Sequence, residues 1–115
     1  MNRDFLATNP KLTNILLRTL VEVTQQINAN KVDAAKILNA QLKKETGKSF
    51  AGAVIFKAME RVDFTWDPVP ESLRKSAKVA HQIGFLRNAP DLKGIFQLKM
   101  LNDVLKEQNL PSITE

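Results

Sequence analysis

The sequence predicts a mainly α-helical protein. Three observations carry this: apolar residues recur at helical spacing in stretch after stretch, Asn, Gly and Pro stand at the joints, and only one short segment alternates with period two. At 115 residues the chain fits one domain, read here as a single helical segment over 1–115. A hydrophobic content of 43% with 25% charged residues is ordinary for a folded chain, so the net charge of +5 does not argue for disorder. Cysteine is absent, which removes disulfides and thiolate metal sites and leaves the redox compartment undecided. No run approaches the roughly 20 apolar residues of a membrane span, and no apolar leader opens the chain. Instead "MNRDFLATNP" enters a structured pattern at once, as a piece cut from a longer protein would.

The elements follow in order. Asn9 and Pro10 open a helix, Asn by accepting from free N–H groups and Pro because it loses nothing at the first helical position. From Pro10 to about Ala29, Leu12, Ile15, Leu16, Leu20, Val23 and Ile27 share one face, the expected core stripe. Leu17 and Val21 lie off it, so burial on a second side is expected as well. Asn30 caps a second helix running to about Thr46, with Ala35, Leu38 and Leu42 as its seam and Gly47 as a left-handed stop. Ser49 is expected to cap a third, short helix, "FAGAVIFKAMERV", apolar almost all round and therefore in need of cover on several sides. Pro70 to about Ile83 forms a fourth helix that Gly84 ends, with Leu73, Ala77 and Ala80 opposite Arg74, Lys75 and Lys78. After a turn in "NAPDLKGIF", residues 98–108 form an amphipathic helix closed by Asn109 and Pro111.

Catalytic chemistry has little to stand on. His81 has no partner motif, and HExxH, GxSxG, Walker, GxGxxG and paired-cysteine patterns are all missing. No catalytic residue, metal site or cofactor is expected. Asp63 and Asp67 could be cast as paired carboxylates, but Asp67 precedes Pro68 at a helix entrance, where a cap or turn explains it. The basic charge raises the question of nucleic acid, and "KKETGKSFAGAVIFKAMER" offers a helix, a turn and a helix. Its second helix begins Phe50, Ala51, Gly52, Ala53, Val54, Ile55, which reads no base edges, so no nucleic-acid partner is expected. Arg74, Lys75 and Lys78 read as a solvated stripe.

Several stretches together resemble a known family: "NRDFLATNPKLTNILLRTLVEVTQQINAN", "AAKILNAQLKKETGKSF", "FTWDPVPESLRKSAKVAHQIGFL" and "PDLKGIFQLKMLNDVLKEQNLP". They are similar to the C-terminal region of solute-binding proteins of the nitrate, sulfonate and taurine ABC transporters, most of all the aliphatic sulfonate branch. The likeness spans nearly the whole chain and rests on the order of its pieces rather than on one motif. It implies a C-terminal fragment of a two-lobed α/β periplasmic-binding-protein fold of type II, made of helices that cover the sheet of the first lobe. It further implies a parent that captures a small anion for a membrane permease and lies in the periplasm or is lipid-anchored outside the cytoplasm. The signal segment and most ligand-gripping loops would lie upstream.

In "VDFTWDPVPESL", Val62, Phe64 and Trp66 alternate with Asp63 and Thr65, the pattern of a half-buried extended segment that Pro68 then turns. Trp66 is the one candidate ligand contact, as a wall for a small anion. A corner whose aromatic side chains fill the space between the third and fourth helices is the favoured reading. The alternative to the transporter fragment is a self-contained basic helical interaction or DNA-binding module, which requires Met1 to be the native start. As a fragment, the chain is expected to form a homo-oligomer that binds no sulfonate.

Overall fold

A computed structural model of the protein describes residues 3–114, and the prediction of a mainly α protein holds there: six helices and no strand among the described residues. Met1, Asn2 and Glu115 lie outside the described residues, and with them the expectation drawn from the chain's first two positions. The helices are α1 (Arg3–Thr8), α2 (Pro10–Ala29), α3 (Lys31–Thr46), α4 (Gly52–Glu60), α5 (Pro70–Gln82) and α6 (Lys99–Glu107). With six residues, α1 is too short to show a period, which is why the pattern of apolar residues does not reveal it. The chain divides into two compact units, one made of residues 1–17 and 67–115, the other of residues 18–66.

In the second unit α3 packs on α4. Ala35, Ile55 and Met59 form a buried cluster, with Ile27, Ala34, Leu42 and Phe64 against it. The caps of α3 match the expectation: the Asn30 side chain accepts from the Asp33 N–H at 3.1 Å, and Gly47 at φ 72° returns its N–H to the Lys43 carbonyl at 3.0 Å. A Cβ at Gly47 would meet nothing within 4 Å, so only the left-handed backbone resists a side chain there. Gly47→Ala is therefore expected to cost about 1–2 kcal/mol in thermal or urea unfolding. A loss below about 0.3 kcal/mol would mean the helix does not depend on this stop.

One cap is not where it was expected. Ser49 does not cap α4, which starts at Gly52 after Ala51 at ψ 135°. Asn39 explains the shift, since its side chain accepts from the Phe50 N–H at 2.9 Å and donates to the Phe50 carbonyl at 2.7 Å. Phe50 is thereby tied to α3, and the helix begins only beyond it.

In the first unit, α6 buries Leu101, Val104 and Leu105 and leaves Lys99, Asp103, Lys106 and Glu107 exposed, the amphipathic division its sequence predicts. Asn109 adopts φ 57° after it, and the Asn102 side chain holds Ile113 by two bonds of 2.8 and 2.9 Å, folding the tail back. At the start of α5 the Asp67 carboxylate accepts from the Val69 N–H at 2.7 Å, so Asp67 makes a turn rather than a helix cap. Val69 sits between two prolines at φ 51°, a conformation a β-branched residue rarely takes.

The face of α2 is the main surprise. Of the expected core stripe, only Ile27 is partly buried, against the Ala35, Ile55 and Met59 cluster; Leu12, Ile15, Leu16, Leu20 and Val23 are 44–60% exposed, whereas Thr13, Val21 and Thr24 are at most 6% exposed. Threonines can occupy this face because each hydroxyl is satisfied within the helix: Thr13 Oγ1 donates to the Asn9 carbonyl at 2.9 Å and Thr24 Oγ1 to the Leu20 carbonyl at 2.7 Å. The larger apolar stripe is left facing outward.

Candidate functional site

The concave surfaces of the second unit flank α3. On one side a groove of about 620 Å3 runs between α3 and α4, floored by Val32, Ala35, Ala40, Ala53 and Phe56. Small side chains at Ala35, Ala40, Gly52 and Ala53 keep it open. Lys36 and Lys43, seven residues apart in α3, stand along it, as does the Asn39 that fixes Phe50. On the other side a groove of about 580 Å3 is bounded by Val23 and Ile27 of α2, Ala34, Ile37 and Leu38 of α3, and Phe64. Leu38, expected in the seam of α3, is 43% exposed and lines this second groove.

Phe64 is positioned by three groups. Its carbonyl accepts from the Asn28 side chain at 2.9 Å, the Lys31 ammonium lies 5.9 Å from its ring centre, and its ring packs on the Ala35, Ile55 and Met59 cluster. Phe64 thus packs on the cluster that α3 and α4 share. Trp66 itself is half-buried and lines neither groove. Val62, expected inward with them, is 48% exposed.

Neither groove is built to grip a small anion. Lys36 pairs with Asp33 at 3.0 Å, and its side chain is 74% exposed, so water screens most of its field. Polar side chains, Lys43 and Asn39 in the first groove and Asp33 and Gln41 in the second, stand among the lining, and most of the accessible surface is apolar and suits hydrocarbon. Among the described residues no group of three His, Cys, Asp or Glu is placed to hold a metal ion. His81 lies exposed in the last turn of α5, while Arg74 of the expected solvated stripe is half-buried and Lys75 pairs with Glu71 at 3.6 Å. The start of α4 presents Gly52, Ala53 and Val54, not the polar side chains a major-groove reader needs. Among the described residues no helix is long and apolar enough to cross a membrane.

The grooves were not anticipated from the sequence. The signals that could have revealed them were the alanines at 34, 35 and 40, the repeat of lysine at 36 and 43, and an asparagine in mid-helix at 39.

No family model, curated protein or solved structure matches this chain.

Proposed function

We propose that this chain is the C-terminal part of an extracytoplasmic solute-binding protein of the nitrate, sulfonate and taurine ABC transporter type. In that reading its helices cover the sheet of the first lobe in a type II binding-protein fold, and the parent holds a small anion in the cleft between lobes until a membrane permease takes it. The observation that carries the reading is the outward apolar stripe of α2, with five Leu, Ile and Val side chains 44–60% exposed. A helix with such a face is made to lie on something, and a sheet of aliphatic side chains is a fitting support. The order of sequence pieces supplies the family.

The role of the chain is then structural, and the ligand contacts belong to residues upstream of it. Catalysis has no part in the process. The anion is of the aliphatic sulfonate, taurine or nitrate class.

The test is to read the coding sequence in frame upstream of Met1 and to express whatever longer product it encodes. The expected product carries a signal segment and two α/β lobes, and binds a short alkanesulfonate, taurine or nitrate in calorimetric titration. A stop codon directly upstream, with Met1 as the native start, would overturn the reading.

A further inference from the structure

We infer that this chain, on its own, pairs with a second copy of itself through the outward stripe of α2, the two helices lying antiparallel about a two-fold axis. The inference is independent of the transporter reading, since the stripe needs cover whatever the parent is.

Size argues for pairing first. Leu12, Ile15, Leu16, Leu20 and Val23 lie on one side of a 20-residue helix and are 44–60% exposed. Together they offer roughly 400 Å2 of apolar surface, within the range of the largest patch on a monomer. A stable interface needs about 800 Å2 from each partner, which an apolar centre of this size reaches once a polar rim is added.

Symmetry argues for the second copy as the occupant. Leu12 and Val23 close the two ends of the stripe, with Ile15, Leu16 and Leu20 between them. Reversing the helix therefore sets Leu12 against Val23 of the second copy and Leu16 against Leu20, apolar on apolar along the whole length. Charge selects the same orientation. Lys11 and Glu22, both exposed, stand on the same flank of the stripe at its opposite ends. Antiparallel pairing brings each Lys11 to Glu22 of the second copy, while a parallel two-fold pair puts the two copies of this flank on opposite sides of the seam and forms no such contact.

Because the chain has no cysteine, single substitutions report the geometry directly. Leu12→Cys and Val23→Cys proteins, mixed under mild oxidation, are expected to give the mixed disulfide dimer, with little 12–12 or 23–23 product. Sedimentation of the unaltered chain should show a concentration-dependent dimer. The double variant Leu16→Glu with Leu20→Glu should sediment as a monomer with unchanged helical circular dichroism. Should that variant unfold, the cross-linking pattern still decides. Self-linked products as abundant as the mixed one, or an unaltered chain that stays monomeric up to about 100 µM, roughly 100 times a Kd of about 1 µM, would overturn the pairing. Neither result bears on the upstream sequence that tests the transporter reading.

Discussion

Replacing Leu105 with alanine is expected to lower the stability of the protein by about 2–5 kcal/mol, the range for emptying a fully buried leucine site. Leu105 is 0% exposed, so its side chain anchors α6, while its backbone carbonyl, which the substitution keeps, accepts from the Leu110 N–H at 2.8 Å. With Leu101 and Val104 it makes the whole buried face of a nine-residue helix. Such a helix has little stability of its own and depends on that face. The urea midpoint, at unchanged slope, is the measurement. A loss under about 1 kcal/mol would mean the site collapses around the gap or that the leucine is not buried as described.

The second large effect separates two neighbours on α2. Val21→Asp places a carboxylate where the native side chain is 0% exposed, and a charge buried without a partner costs on the order of 3–5 kcal/mol. Leu20→Asp, one position earlier, alters a side chain 47% exposed and should leave the fold of the single chain nearly unchanged while weakening pairing. Circular dichroism during urea titration, repeated over a range of protein concentrations, distinguishes them. Val21→Asp should unfold early at every concentration, and Leu20→Asp should change only the concentration dependence. The opposite order would mean that the strongest stripe of the sequence is the buried one after all.

That pair also shows where sequence reading stops. Periodicity identified α2 to its end residues and picked out its most apolar stripe, yet the face the chain buries is the neighbouring one of Thr13, Leu17, Val21 and Thr24. A threonine looks polar in the sequence because nothing local says that its hydroxyl will return to the carbonyl four residues back. The stripe is a statement that something must cover it, not of what does. The expected Ser49 cap failed for a related reason: the Asn39 that holds Phe50 is eleven residues away, and a cap motif read locally has no knowledge of it.

The candidate surfaces follow the same division. Lysines at 36 and 43 and alanines at 35 and 40 are helical neighbours whose spacing is visible in the sequence. That they border an open groove depends on Gly52, Ala53 and Phe56 arriving opposite them. Phe64 and Trp66 share an alternating stretch, and only packing set Phe64 against the cluster of Ala35, Ile55 and Met59, with the Asn28 side chain on its carbonyl.

By itself, then, the sequence determined the mainly helical class and the joints between helices. It placed the stops at Gly47, Gly84 and Asn109, all with positive φ, and the amphipathic division of α6. These depend on interactions within a few residues: capping bonds, the freedom of glycine and asparagine to turn left-handed, and a helical period set by backbone geometry. Tertiary structure alone decided which face of α2 is buried, where α4 begins, which aromatic ring packs on the Ala35, Ile55 and Met59 cluster and where grooves open. Those outcomes depend on which surfaces meet, and burial is a property of two surfaces while a sequence pattern describes only one.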